Sequence, residues 1–296
     1  MKKILILSGK GGTGKTTVAS SFIHLLDAKS YADCDVDAPN LHITNPQKTQ
    51  PVVEDFWGLP KAQVDNEKCV MCGSCMEKCM FDAISEQNGK ININQFMCEG
   101  CGVCEYVCPA DAIELHEVVS GTTFTYNCGE GSDDSLPAFS TASLKMGEGA
   151  SGKLVSQVKS NMKVLGDDDI AIIDGSPGIG CPVIASISGV DMALIVTEPS
   201  VAGMSDLKRL IDALDHFGTK YAVCINRYDI NREKSMEIEK FLEENQIKMV
   251  GKIPFDKMAS RAVNEGKSIV DIPCEAGQEV RKILDKVLEI LNGQDA

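Results

Sequence analysis

Short apolar runs alternate with amphipathic stretches along most of the chain. The runs ILILS and IAIID lie at residues 4–8 and 170–174 and predict strands buried on both faces. Three more strand-like runs lie near residues 192–199, 221–229 and 249–256. Helical periodicity follows residue 16 and recurs near residues 151–165, 203–217, 233–245 and 275–291. This alternation predicts an α/β fold, with a parallel sheet covered by helices on both faces.

Three regions lie outside this pattern. Residues 46–64 are of mixed character and contain three prolines, which predicts a linker. Residues 91–94, ININ, predict a short strand. Residues 117–150 are too long for one ordered loop, so we expect strands in them that the pattern does not locate. Within that region, residues 129–134 have the composition of a turn or mobile loop.

A glycine-rich loop joins the first strand to the first helix and matches G-x4-G-K-[ST]. Glycines let backbone N–H groups turn inward around phosphate oxygens, the second lysine supplies positive charge, and the hydroxyl that follows it can ligate Mg²⁺. A glycine-rich turn that happens to contain lysine is the alternative, but the strand before and the helix after are the context that phosphate binding requires. The expected nucleotide-binding residues here are Gly9, Lys10, Gly11, Gly12, Thr13, Gly14, Lys15, Thr16 and Thr17.

Carboxylates stand where two strands are expected to end. Asp33, Asp35 and Asp37 occupy alternate positions, which places all three on one side of an extended segment. Asp174 ends the run IAIID and precedes Gly175-Ser176-Pro177-Gly178. A carboxylate at the carboxyl end of a strand beside a phosphate loop suits a Mg²⁺ site, with a structural turn as the alternative.

The net charge and the length of the apolar segments limit the classes of binding partner that we expect. The net charge of −14 disfavours nucleic acid and anionic lipid, because both reward clustered Lys and Arg. No apolar stretch reaches the roughly 18 residues of a spanning helix, and the apolar run near residue 4 is too short for a secretory signal. The terminal helix mixes acids and bases on its polar face, which favours packing over membrane targeting. We therefore expect a cytoplasmic protein whose thirteen cysteines signify metal rather than disulfides.

Eight of these cysteines form an internal repeat. Residues 69–79 and 98–108 each have the spacing C-x2-C-x2-C-x3-C, and the two runs align over CVMCGSCMEKCMFDAI and CEGCGVCEYVCPADAI. Zinc is the alternative for isolated C-x-x-C pairs.

The doubled run resembles the two-cluster bacterial ferredoxins, in which the fourth cysteine of each run ligates the other cluster. The resemblance implies one [4Fe-4S] cluster at Cys69, Cys72, Cys75 and Cys108, and a second at Cys98, Cys101, Cys104 and Cys79. Pro109 follows Cys108 as in that pattern, whereas Met80 follows Cys79.

The nucleotide motifs resemble those of the MinD/ParA/Mrp superfamily of P-loop ATPases, which includes the nitrogenase iron protein. The resemblance lies in KGGTGKTT, the spaced aspartates and DGSPG. It implies a homodimer with ATP at the interface, in which Lys10 reaches the partner's nucleotide and acts with Lys15. It also implies that Asp33 and Asp174 help to hold Mg²⁺ with Thr16, and that Asp35 orients the attacking water. Asp37 is the competing assignment for that catalytic role.

The same resemblance extends to two further sites. Asn226 and Pro254 match positions that frame the adenine, although a strand-end turn residue is the alternative for Asn226. Cys181 follows Asp174 at the offset of a cluster ligand in the nitrogenase iron protein, so we expect it at the dimer interface. Burial beside the turn that follows Asp174 is the alternative, and Mrp-type carriers use a CxxC pair that is missing here.

Taken together, the motifs predict a P-loop ATPase domain in two parts, residues 1–64 and 117–296, with a ferredoxin-like domain inserted at 65–116. The expected function is ATP-gated electron transfer through two [4Fe-4S] clusters to a redox or iron–sulfur partner protein. A cluster assembly or transfer carrier of Mrp type is the first alternative. A ParA-like positioning ATPase with a redox-sensing insert is the second, and the acidic charge weakens it.

Overall fold

A nine-stranded sheet forms the centre of the molecule in the computed structural model, which describes residues 1–128, 132–133, 135–167 and 169–293. The strands are β1 (Lys2–Ser8), β2 (Ser30–Asp33), β3 (Val52–Trp57), β4 (Lys61–Val64), β5 (Ile84–Gln87), β6 (Lys90–Ile93), β7 (Ile113–His116), β8 (Val119–Tyr126), β9 (Ala138–Leu144), β10 (Ile170–Pro177), β11 (Met192–Thr197), β12 (Lys220–Asn226) and β13 (Met249–Ile253). The helices are α1 (Lys15–Leu26), α2 (Leu41–Thr44), α3 (Ser74–Lys78), α4 (Val103–Tyr106), α5 (Ser151–Ser160), α6 (Cys181–Ile187), α7 (Val201–Phe217), α8 (Arg232–Glu244), α9 (Lys257–Asn264) and α10 (Glu275–Leu291), with a 3-10 turn at Ile269–Asp271.

The order of the strands in this sheet is β13-β12-β11-β1-β10-β2-β9-β8-β3. The strands from β13 to β9 are parallel to their neighbours, whereas β8 runs antiparallel to both β9 and β3. The predicted parallel sheet is therefore correct for seven strands, and an antiparallel pair extends it at one edge. This is an α/β fold with a large, mostly parallel sheet.

Both faces of the sheet are covered, as predicted. Successive side chains on a strand point to opposite faces, so Ile4 and Ile6 pack on one side of β1 and Leu5 and Leu7 on the other. The first side is covered by α1 and α10, and the second by α5, α6, α7 and α8. All four β1 side chains are fully buried, each of which stabilises the fold by about 1.5–3 kcal/mol.

The linker predicted for residues 46–64 is wrong. Val52–Trp57 forms the edge strand β3, and Lys61–Val64 forms β4. Strand β3 pairs with β8, which lies more than 60 residues further along the chain. The hydrophobic periodicity of the sequence indicates neither β3 nor β8, because the burial of each strand depends on the other, which is distant in the chain.

Residues between β3 and β8 fold into a small unit with two two-stranded sheets, β4-β7 and β5-β6. Its own apolar cluster includes Ala62, Ile91, Ile93 and Ile113, together with several cysteines. The sheet β4-β7 begins at Lys61, four residues before the predicted domain boundary at Asp65. The strand expected at ININ is β6.

Most predicted helices are present within a residue or two of their expected bounds. The exception is α5, which ends at Ser160 rather than near residue 165. The strands expected within residues 117–150 are β8 and β9. Four of the six positions of the turn predicted at 129–134 lie outside the described residues. Among the described helices, none has the length and apolar character that crossing a membrane would require.

Candidate functional site

The glycine-rich loop lies at the carboxyl end of β1, between the ends of β10 and β11. Gly12 and Gly14 have φ values of 79° and 93°, a left-handed conformation that favours glycine. A Cβ on Gly14 would lie 2.3 Å from Nδ2 of Asn226, so a larger residue would collide there. The loop therefore depends on glycine both for its path and for the approach of Asn226.

A buried ion pair joins the loop to the neighbouring strand. Lys15 Nζ lies 2.5 Å from Oδ1 of Asp174, and both side chains are almost inaccessible to solvent. Burial opposes the charge on Lys15, but the nearby carboxylates, Asp174 foremost, outweigh it and raise the pKa of the lysine. Lys15 of the glycine-rich loop and Asp174, the carboxylate predicted at the end of a strand, are thus in direct contact.

Two buried oxygens in this region lack a hydrogen-bond partner among the described residues: Oδ2 of Asp174 and Oγ1 of Thr13. Leaving such a group unsatisfied costs about 1–3 kcal/mol. Polar atoms that a fold leaves unpaired beside a glycine-rich loop suit a ligand that supplies the missing partners. A hydrated cation and a phosphate have the required chemistry.

The three alternating aspartates do not share one side of a strand, so that prediction is wrong. Strand β2 ends at Asp33, and the chain turns directly after it. The Asp33 carboxylate accepts hydrogen bonds from the N–H groups of Asp35, Asn40 and Leu41, at 3.0, 2.9 and 2.9 Å. Asp35 is half-buried and faces the loop, whereas Asp37 is exposed.

Burial, together with the negative charge of Asp174, raises the pKa of the Asp33 carboxyl to about 7. Burial also raises the pKa of Asp35, against the opposing effect of Lys15. The fold disfavours the negative charge of both carboxyl groups, and a cation bound beside them would favour the charged form.

A groove runs along the loop and divides into two neighbouring cavities. One of about 330 Å³ is lined by Gly11, Gly12, Lys15, Thr16 and Asp35, among others. The other, of about 270 Å³, is lined by Asn226, Pro254, Phe255 and Asp256, among others. Both include Gly14, Thr17, Arg227 and Val263.

The predicted adenine contacts therefore meet the end of the phosphate loop. Asn226 ends β12, and its Nδ2 donates to the carbonyl oxygen of Thr13 at 2.6 Å. Pro254 follows β13 directly and lines the same cavity.

Arg227 is a candidate contact that sequence reasoning missed. It lines both cavities and has a left-handed backbone, with φ at 53°. Its only sequence signal was its position directly after Asn226. The conformation that turns it toward the groove is not encoded in any local pattern.

Lys10 lies apart from the groove. Its Nζ is 2.5 Å from Oε1 of Glu198 in the same chain, and its side chain is 39% exposed. Lys10 does not belong to the described residues that line either cavity. The first lysine of the loop is thus available at the surface while the second is buried.

The eight cysteines of the repeat surround two separate cavities in the small unit. One is lined by Cys69, Cys72, Cys75 and Cys108. The other is lined by Cys79, Cys98, Cys101 and Cys104. Each cavity therefore takes three cysteines from one run and the fourth from the other, the same two sets that the ferredoxin resemblance implied.

The local backbone aims polar N–H groups at these sulfurs. Ala112 N lies 3.3 Å from Cys108 Sγ, and Ala62 N lies 3.5 Å from Cys98 Sγ. Left-handed Gly73 and Gly102 precede the short helices α3 and α4 at equivalent points of the two runs. Among the described residues, no group of three or more His, Cys, Asp and Glu side chains is arranged to hold a single metal ion.

Fold and groove define a nucleotide-binding protein of the P-loop class. The family model for the CobQ/CobB/MinD/ParA nucleotide binding domain matches residues 4–269, and the chain belongs to this family. A septum site-determining protein MinD from Pyrococcus horikoshii, solved with Mg-ADP, shares the fold with a TM-score of 0.57 and 17% identity, over 99% of this chain and 98% of that one.

Two relatives come from Methanocaldococcus jannaschii. An uncharacterized protein is 32% identical over 98% of this chain and 97% of its own length. An iron-sulfur cluster carrier protein is 25% identical over 99% of this chain and 86% of its own length. The chain is therefore a P-loop ATPase of MinD/ParA type with a distant iron-sulfur carrier relative.

The raised pKa of Asp33 predicts a pH dependence of stability in the metal-free protein. Between about pH 4 and pH 7 the folded state holds a proton that the unfolded state has released, so the free energy of unfolding should fall as pH rises through this window. Asp33→Asn should flatten the slope, measured by urea denaturation in EDTA. Asp37→Asn, which changes an exposed carboxylate nearby, should leave the native slope; a native slope in Asp33→Asn would contradict the assignment.

Proposed function

We propose that this protein couples ATP binding and hydrolysis to electron transfer through two [4Fe-4S] clusters. The observation that carries the proposal is the arrangement of the eight repeat cysteines in two sets of four, each around its own cavity, in a chain that also has the nucleotide groove. A [4Fe-4S] cluster takes one thiolate at each of its four iron atoms rather than side chains converging on one ion. The cysteine sets fit that requirement.

The groove supplies the nucleotide site. Lys15 would bind the β- and γ-phosphates, and the backbone from Gly9 to Thr17 would surround them. Asn226 and Pro254 would frame the adenine, with Arg227 between base and phosphates.

Thr16, Asp33 and Asp174 would hold Mg²⁺ or its water shell. The unpaired Oδ2 of Asp174 supports this assignment. When bound, the ion would neutralise phosphate charge.

Asp35 is the proposed catalytic carboxylate. It lines the phosphate cavity and is half-buried, whereas Asp37 is exposed, so the geometry favours Asp35 as the group that orients the attacking water. In hydrolysis the water oxygen would bond to the γ-phosphorus as the bond from that phosphorus to the β-phosphate oxygen breaks, and the proton that leaves the water would pass to the released phosphate or to solvent.

Lys10 supports a homodimer with ATP at the interface. Within the part of the chain that the structure describes, its ammonium pairs with Glu198 in a partly exposed contact, and exposed ion pairs contribute roughly 0–1 kcal/mol. That contact is weak enough to be exchanged for a phosphate of the partner subunit.

The chain order supports gating. The cluster unit lies between Asp33–Asp37 and Asp174, the two segments expected to move when the γ-phosphate is lost. A rearrangement of either segment thus reaches one of the connections of the unit. Each cluster would accept one electron from a low-potential reductant and pass it to a protein acceptor, and nucleotide state would control access to that acceptor.

Iron analysis tests the cluster assignment. The native protein, purified without oxygen, should hold about eight iron atoms per chain. Cys69→Ser and Cys98→Ser should each lose about half, because each removes a ligand of a different cluster. Cys224→Ser, which changes a buried cysteine of the main core, is the matched control. Zinc in place of iron would contradict the assignment.

Stopped-flow kinetics test the gating. The reduced protein is mixed with oxidised cytochrome c, with and without MgATP, and cluster reoxidation is followed by absorbance. We expect reoxidation to accelerate at least tenfold with ATP in the native protein. Lys15→Ala and Lys10→Ala should remove that dependence, with Lys286→Ala as a distant control. Equal native rates with and without nucleotide would overturn gating.

A cluster carrier is the second candidate, favoured by the carrier protein of M. jannaschii that is similar over almost the whole chain. Cys181 is exposed at the start of α6, directly after the turn that follows Asp174. This position suits a cysteine that shares a cluster between two subunits. Transfer of intact cluster to an apo-ferredoxin, lost in Cys181→Ser, would favour the carrier over the electron-transfer protein.

A further inference from the structure

The two cysteine cavities differ in their contact with the ATPase fold. Both cavities are lined by residues of the small unit, from Val64 to Ile113 for that of Cys69 and from Ala62 to Leu115 for that of Cys98. In the described part of the chain, only in the second does a cysteine of the lining, Cys98, accept a hydrogen bond at its carbonyl oxygen from a buried lysine that also contacts the main body. We call the first the outer cavity and the second the inner cavity.

That lysine is Lys61, which is only 5% exposed. Its Nζ donates to the carbonyl oxygen of Cys98 at 2.9 Å and lies 3.3 Å from Oε2 of Glu148. The same carboxylate accepts a hydrogen bond from Ser120 Oγ, in strand β8 of the main sheet. A charged group of the small unit is thus fixed by groups of the ATPase fold.

Helix α5 begins three residues after Glu148 and contacts the other side of the same connection. Lys153 Nζ donates to the carbonyl oxygen of Trp57 at 2.9 Å, at the point where the chain leaves β3 for Lys61. A Cβ on Gly149 would lie 3.5 Å from Oε2 of Glu99, which follows Cys98. The start of α5 thus binds the main chain at Trp57, and Gly149 just before the helix lies next to the Glu99 side chain.

Helix α5 also packs along α6, the helix that follows the turn after Asp174. Gly152 meets the main chain of Cys181 at the start of α6, where a Cβ would lie 3.2 Å from the carbonyl oxygen. At the other end, Lys159 Nζ donates to the carbonyl oxygens of Ala185, Ser186 and Ser188. The two helices are therefore in contact at both ends, so a displacement of α6 would act on α5.

We propose, on the basis of the proposed function, that Lys61 and Glu148 are positioning residues for the inner cluster and that α5 connects them to the nucleotide site. A positive charge beside a cluster favours its reduced form, because reduction adds one negative charge and neither forms nor breaks a bond. Glu148 partly cancels that charge. When α5 moves with nucleotide state, the degree to which Glu148 cancels the charge of Lys61 changes. The reduction potential of the inner cluster changes with it.

Redox titration of the fully loaded protein, monitored by electron paramagnetic resonance, tests the charge assignment. The inner cluster is identified as the signal lost in Cys98→Ser. Lys61→Met should lower its potential and Glu148→Gln should raise it, whereas Lys61→Arg should restore the native value. Lys68→Met removes an exposed charge beside Cys69 and should change either potential less. Shifts of the same sign in Lys61→Met and Glu148→Gln, or none, would overturn the proposal.

Should Lys61→Met fail to hold clusters, the direction of the shift in Glu148→Gln decides. The connection through α5 is tested in the same titration with and without a non-hydrolysable ATP analogue. Lys153→Met should lose most of the nucleotide-dependent shift of the native protein while keeping its iron content and its affinity for the analogue. A full shift in Lys153→Met overturns the connection and leaves the proposed function intact. No shift in the native protein, with clusters and nucleotide bound, also overturns the connection, whereas the proposed function is overturned only by cluster reoxidation that does not depend on ATP.

Discussion

The contact between Lys15 and Asp174 is the constraint on which the rest of this structure depends. Two charges are buried together, and burial of each alone would cost several kcal/mol, so neither side chain can leave without the other or a substitute. Their pairing requires β1, which leads into the phosphate loop, and β10, which contains Asp174, to be neighbours in the sheet. A phosphate and a cation are the substitutes with the right charges: the phosphate takes over Lys15, and the cation takes over Asp174. Nucleotide binding would therefore change the partners of both groups at once.

Two segments of the chain connect the nucleotide site to other parts of the fold. Asp33 organises the segment that leads into α2, and Asp174 begins the segment that leads into α6. The small unit that contains the cysteine repeat is attached through β3 and β8, an antiparallel pair at the far edge of the sheet. Helix α5 packs between α6 and that attachment, so the edge of the sheet is connected through α5 to the segment that follows Asp174.

Much of this arrangement was predictable from the sequence, because its signals are local. The phosphate loop, the strand before it and the helix after it are encoded within about 25 consecutive residues, and the cysteine repeat carries its own spacing. What escaped prediction depends on distant partners. Strand β3 has a mostly exposed pattern and is a strand only because β8 pairs with it. The aspartates were expected to alternate along one strand, but the N–H groups of Asn40 and Leu41 draw the chain into a turn at Asp33. Arg227 depends on a left-handed backbone at a strand end, and Lys61 and Glu148 meet across 87 residues.

The central claim is that nucleotide and clusters are coupled within one chain, and coupling between two sites is reciprocal. If ATP alters the reduction of the clusters, reduction must alter the affinity for ATP by the same factor. The most direct measurement is therefore the Kd for MgATP of the oxidised and the reduced protein, by anaerobic calorimetry on an Asp35→Asn variant that binds without turnover. We expect the two constants to differ by roughly fivefold or more. Equal constants in a protein with both clusters loaded would contradict the account.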